Sequence, residues 1–240
     1  MSTENRIRFS ASTHVGKKRT INEDSIMALP DQGIWVVSDG MGGHTGGDFA
    51  SQTVVESVAM LPAGLEPSEL IKALRGAIGK AHDTIVTEAE VRGGGTIGAT
   101  VVTFLVANGH FAAFWAGDSR LYRLQSGSIE MLTTDHSVVA SLVLSGQLTW
   151  DEAEKHPQSN AITRAVGVGE HFELDKIRGE LFPGDRFLLC SDGLTKYADF
   201  ATLESVLASQ SIETVADTLQ QIALDGGGTD NISIIVIDIL

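Results

Sequence analysis

Five aspartates in this 240-residue chain share a setting in which a carboxylate can do chemistry. Asp39 follows the apolar run Ile34-Trp35-Val36-Val37 and precedes Gly40. Asp118 closes the stretch "AAFWAGD". Asp192 follows "RFLLCS" and precedes Gly193. Asp230 opens the run "NISIIVIDI", and Asp24, in "NEDS", stands before a short apolar stretch. One aspartate beside a small residue is ordinarily a turn former. Five of them, each against an apolar run, ask for a common explanation. Antiparallel strands bring distant strand ends to one edge, where gathered carboxylates repel and raise one another's pKa. A divalent cation removes that repulsion, and hard cations prefer oxygen ligands.

The donor set narrows the ion. There is no H-E-x-x-H, and a single cysteine excludes C-x-x-C, so a zinc site of the usual kind is unsupported. Magnesium or manganese suits the oxygens better. Two such ions sharing a bridging carboxylate would activate a water and polarise a phosphoryl group. Other phosphate chemistries lack their parts. Gly42 to Asp48 has no lysine for a Walker loop, and Cys190 is followed at phosphatase-loop spacing by Lys196 rather than arginine. Cys190 reads as a small buried hydrophobe.

Strands must carry these acids. Apolar runs at 34–37, 97–107, 111–116, 186–190 and 232–239 read as strands, with weaker ones at Ile7–Ser12, Ser25–Leu29 and Leu121–Leu124. Asn108-Gly109 and Ser126-Gly127 read as hairpin turns. Helical stripes run through Ala50, Val54, Val55, Val58 and Leu61, and from Leu70 to Ile85 with Ser68 as N-cap. A third spans Thr214 to Leu224. Thr149 and Glu152 form a capping box for a short helix ending near His156. Between Asp39 and Asp48, five glycines allow a sharp turn close to whatever the acid holds. Strands come in groups and helices in separate blocks, which is an α+β order. The segment from Ser137 to His156 interrupts the strands and reads as a flap beside the cleft, within about 137–166.

Composition sets the outer limits. The chain is 42% hydrophobic and 20% charged, enough for one large domain over residues 1–240. A net charge of -14 argues against nucleic-acid binding. No apolar run approaches a membrane span. The single cysteine and an N-terminus without a signal-like apolar region point to the cytoplasm, and a monomer is expected.

In order along the chain stand "RTINED" at Arg19 to Asp24, "DGMGGH" at Asp39 to His44, "GAT" at Gly98 to Thr100, "GDSR" at Gly117 to Arg120, "SDGL" at Ser191 to Leu194, and "GTDNIS" at Gly228 to Ser233. "TTDHS" and "HPQSNAITRAVG" lie between the fourth and fifth. This set resembles the PPM family of metal-dependent protein serine/threonine phosphatases, type 2C, in its compact bacterial form. The resemblance implies a four-layer α-β-β-α sandwich of two antiparallel sheets flanked by helices. It implies two core manganese or magnesium ions and a weaker third. Asp39 matches the bridging ligand, Gly40 offers its carbonyl, and Asp192 and Asp230 complete the first site. Asp24 matches the acid of the second ion, with Glu23 beside it able to share the task. Asp118 matches a ligand of the third, with Asp192 shared. Arg19 matches the phosphate-binding arginine, and a guanidinium can grip two phosphate oxygens. His44 stands open between two roles: acid for the leaving oxygen, or partner to a water or carboxylate. Asn231 and Ser119 read as supports that orient carboxylates. The implied substrates are phosphoserine and phosphothreonine proteins, with a Ser/Thr kinase as counterpart. His14, Lys196 and Tyr197 depart from the family pattern. Two rivals are a binding module that has lost catalysis and a phosphoesterase for small molecules. All the metal acids are present, which weakens the first.

Overall fold

The computed structural model describes residues 7–42, 46–170 and 172–240. In chain order its elements are β1 (Ile7–His14), β2 (Asp24–Leu29), β3 (Ile34–Gly42), α1 (Gly47–Ala59), α2 (Pro67–Val91), β4 (Ile97–Ala99) and β5 (Val101–Ala107). Then come β6 (His110–Ala116), β7 (Arg120–Gln125), β8 (Ser128–Met131), α3 (Ala140–Leu144), α4 (Trp150–Ala153) and β9 (Asp175–Glu180). The last are β10 (Arg186–Cys190), α5 (Asp192–Thr195), α6 (Phe200–Ser209), α7 (Val215–Gly226) and β11 (Ile232–Ile239). One sheet runs β1-β11-β10-β7-β8. The other runs β2-β3-β5-β6-β9, with β4 also paired to β3, and every pairing is antiparallel.

The unbroken apolar runs are explained by burial on both faces. In β3, Ile34 and Val36 pack against α1 and α2, while Trp35 and Val37 enter the space between the sheets. In β11, Ile232, Ile234 and Val236 face α6 and α7, while Ile235, Ile237 and Ile239 face inward. Side chains alternate across a strand, so a strand in the middle of four layers needs apolar residues at every position. Phe104 links the sheets, its ring 6.1 Å from Trp35 and 4.5 Å from Phe187. Cys190 lies in the helix-side core, and burial pushes its thiol up to about 12. The expected α-β-β-α sandwich is the observed one.

Several boundaries differ from expectation. The run 97–107 is not one strand: it breaks at Thr100, so that β3 pairs β5 through 34–37 and β4 through 40–42. Helix α2 begins at Pro67 with Glu66 as N-cap, because an N–H at the first helical position would have no intrahelical acceptor and proline's missing donor costs nothing there. Ser68 is therefore inside the helix. The charged edge strand β9, the short β8, and α6 had too little apolar periodicity to stand out. The capping box holds: Glu152 N–H donates to Thr149 Oγ1 at 3.2 Å, and Thr149 N–H donates to Glu152 Oε2 at 2.7 Å. Both hairpin turns have positive φ at their two central residues, Asn108-Gly109 and Ser126-Gly127.

Two chain segments cross closely where the sandwich ends. A Cβ placed on Gly193 would strike the Asn231 carbonyl oxygen. Glycine is required there because the turn after β10 packs backbone to backbone against the residue after Asp230. Gly193→Ala is expected to destabilise the protein by about 1–3 kcal/mol, as read from chemical denaturation. An unchanged midpoint would show that the crossing can relax.

Candidate metal centre

The acids reach one place by five routes. Asp39 lies within β3, opposite Asp24 of β2 in the pairing register. Asp118 sits in the turn between β6 and β7. Asp192 opens α5 directly after β10, and Asp230 stands two residues before β11. Asp39, Asp118, Asp192 and Asp230 line one cleft of about 380 Å³, together with Gly40, Glu23 and Arg19. Asp24 is among the cleft's neighbours but not on its wall: it is buried, and its Oδ2 accepts a hydrogen bond from Ser191 Oγ at 2.7 Å. Glu23, the adjacent residue, is the one that faces the cleft. Arg19 pairs with Asp230, through Nε at 2.9 Å and Nη2 at 3.2 Å. His44 lies outside the described residues.

The electrostatics are those of crowded like charges. Burial, reinforced by Asp24, Asp192, Asp118 and Asp230, pushes the Asp39 carboxyl well above the ordinary range. Burial and then Asp192 and Asp135 do the same to Asp118, with Arg120 opposing. Burial raises Asp24 to about 7, against the Ser191 hydrogen bond. Asp230 runs the other way. Burial would raise it, but Lys196 and Arg19 hold it below the usual carboxylate range. Among the described residues, no three acidic, histidine or cysteine side chains already close on one point as a finished metal cage. Their chemistry still fits a hard divalent ion. The donors are all oxygen, and on the cleft wall Asp192 Oδ1 is buried without a hydrogen-bond partner. A buried carboxylate oxygen left unpaired is costly, and a cation is the ligand that satisfies it.

The sequence model for protein phosphatase 2C matches residues 13–225. The chain belongs to the protein phosphatase 2C family. Serine/threonine protein phosphatase PstP of Mycobacterium tuberculosis is 34% identical over 235 residues, 98% of this chain. That match takes in 45% of PstP, so the chain spans about half the length of this relative. Among solved structures, PppA of Pseudomonas aeruginosa is 38% identical with a TM-score of 0.90, covering 98% of each chain. The catalytic domain of PstP, solved in complex with two manganese ions, is 32% identical with a TM-score of 0.88, again covering 98% of each.

In this 2C-family chain the supports of the acids are hydrogen bonds to the backbone that carries them. Thr100, at the break between β4 and β5, accepts the Asp39 N–H on Oγ1 at 2.9 Å and contacts Ser119 Oγ at 2.6 Å. Asn231 accepts the Glu23 N–H at 2.8 Å and donates to the carbonyls of Val15 and Ile21 at 2.9 and 3.0 Å. It thereby pins the loop that bears Arg19. His14 Nδ1 accepts the Gly16 N–H at 2.8 Å and shapes the same loop. Ser191 links Asp24 to β11 by accepting the Ser233 N–H at 3.0 Å. The roles of Thr100 and Ser191 went unread although "GAT" and "SDGL" contain them, since their partners lie far away in sequence.

The segment 137–166 holds α3 and α4 and returns through bridges Ser137–Ile162 and Ala99–Val166. Asn160 and Ile162 reach the cleft wall. Buried Arg120, two residues after Asp118, anchors the segment. Its guanidinium meets Asp135 at 2.6 Å and Glu154 at 2.7 Å, and lies 5.2 Å from the Trp150 ring centre. Next to this anchor, His136 Nδ1 accepts the Gly117 N–H at 3.1 Å, while Nε2 lies 3.3 Å from Asp175 Oδ2.

That geometry generates a pH dependence. Protonating His136 places a proton on the nitrogen that accepts from Gly117. Burial lowers the His136 pKa from its ordinary 6.5, with Asp175 opposing. The stabilising contribution of neutral His136 is therefore whole above pH 6.5 and is lost as pH falls through the lower folded value. The melting temperature is expected to drop on acidification from about pH 7.5 to about 5.5. His136→Asn, which keeps an acceptor and cannot titrate, is expected to flatten that drop. Equal slopes in both proteins would exclude this coupling.

Proposed function

We propose that this 2C-family chain is a metal-dependent phosphatase for phosphoserine and phosphothreonine on proteins. The observation that carries the reading is the convergence of Asp39, Asp118, Asp192 and Asp230 on one cleft in a chain of this family. The relatives named serine/threonine phosphatase and the two-manganese PstP structure support it.

Asp39, the Gly40 carbonyl, Asp192 and Asp230 would hold manganese or magnesium, and Asp118 with Asp192 a weaker third ion. Bound ions would supply Lewis acidity and an acidified water as nucleophile. Glu23 suits the second ion better than Asp24, since it lies on the cleft wall and Asp24 stands behind it, tied to Ser191. Arg19, at the rim beside Asp230, would grip phosphate oxygens with the guanidinium donors that its pairing to Asp230 leaves. His44, read from the sequence alone, would either protonate the departing serine oxygen or hold a water or carboxylate in place. The segment 137–166, with Asn160 and Ile162 at the cleft, would select the phosphoprotein as a flap within one catalytic domain. A counterpart Ser/Thr kinase and a cytoplasmic place of work complete the reading. Among the described residues no helix is long and apolar enough to cross a membrane.

Purified protein is expected to release phosphate from phosphoserine and phosphothreonine peptides faster than from nucleotides. It should lose that activity in chelator and regain it with manganese. Outer-shell partners of metals cost up to about 100-fold when mutated, so Asp39→Asn and Asp192→Asn should each cost at least that in kcat/KM. Full activity after exhaustive chelation would remove the metal from the mechanism.

Arg19→Ala is expected to raise KM for a phosphopeptide while manganese stoichiometry, read by calorimetry, stays the same. A normal KM would assign Arg19 to Asp230 alone.

A further inference from the structure

Lys196 ends the short α5 turn, and its ammonium is shared between two acids. Nζ lies 2.8 Å from Asp192 Oδ2 and 2.9 Å from Asp230 Oδ2. The first contact is local, four residues along one helical turn. The second crosses to the segment before β11, 34 residues away. The lysine side chain is 18% exposed and forms part of the acidic cleft wall. Charge-assisted bonds of this kind are short and strong. An ammonium on a four-carbon stem is also a compact charge that can move aside, unlike the rigid fork of an arginine.

We propose that Lys196 is a built-in counter-ion of the metal centre, neutralising Asp192 and Asp230 until a divalent ion displaces it. This rests on the reading of those two aspartates as metal ligands. An incoming ion must break both bonds to Nζ and then tolerate a positive neighbour. Lys196 thus weakens metal uptake and steadies the metal-free protein, where, among the described residues, Asp192 would otherwise have no paired cation and Asp230 would have Arg19 alone. Arg19 cannot do the same, because its contacts go to Asp230 only.

The test is manganese calorimetry on the full chain stripped by chelator, with thermal unfolding in chelator and in saturating manganese. Wild type is compared with Lys196→Met, Lys196→Gln and Lys196→Arg. The two neutral variants are expected to bind manganese at least about tenfold tighter, to melt lower in chelator, and to regain wild-type melting in manganese. Lys196→Arg, which keeps the charge on a fork that moves aside less readily, is expected to bind manganese no tighter than wild type. If Lys196→Met does not fold, Lys196→Gln carries the comparison. Unchanged or weaker manganese binding in the neutral variants overturns the proposal, and so does equal tightening in Lys196→Arg. A wild type that takes up no manganese overturns the reading of Asp192 and Asp230 as ligands, and the counter-ion with it.

Discussion

The structure turns on one electrostatic conflict: carboxylates from five separate chain segments are held within mutual influence at one end of a sandwich. Left in water, such groups would move apart. Here Asp39 and Asp118 are pushed far above the ordinary range by burial and by their neighbours. Asp230 escapes only because two cations embrace it. Keeping the acids together requires a scaffold stiffer than their repulsion.

The scaffold gets that stiffness from strands buried on both faces. Ile34 and Val36 are fixed by helices while Trp35 and Val37 are fixed by the opposite sheet, so the strand that delivers Asp39 has no free side. The break at Thr100 belongs to the same design. It frees a side-chain oxygen to hold the Asp39 N–H at the point where β3 changes partners. The Gly193 crossing lets the loops that carry Asp192 and Asp230 touch through backbone.

Two cationic groups manage the charge in different ways. Arg120 is a buried anchor, with Asp135 and Glu154 as fixed partners and Trp150 beside it. It ties the segment 137–166 to the strand end that carries Asp118, and removing Arg120 would leave Asp135 and Glu154 without their shared cation. Lys196 is held on the cleft wall by a flexible stem and can leave its acids. A dry, bidentate pair suits a permanent joint, and a mobile ammonium suits an exchangeable one.

Much of this was legible in the sequence. Five acids against apolar runs and an all-oxygen donor set gave the list of acids and an α+β order, and the ordered motifs, through the family they resemble, implied the α-β-β-α sandwich. The doubly buried strands announced themselves as unbroken apolar runs. What the chain could not reveal alone was which of two adjacent residues faces the cleft. Glu23 precedes the first residue of β2, where Asn231 holds its N–H, while Asp24 is drawn to Ser191, just past β10 of the opposite sheet; both partners lie far away in sequence, and only folding leaves Glu23 on the wall. Lys196 looked like a departure from a motif, because its second partner, Asp230, becomes a neighbour only when β10 and β11 pair. Arg120, Asp135 and Glu154 are likewise scattered along the chain and joined by folding. Residue type and local spacing determined the chemistry available; long-range strand pairing decided which groups meet, because contact across a sheet depends on register and not on distance along the chain.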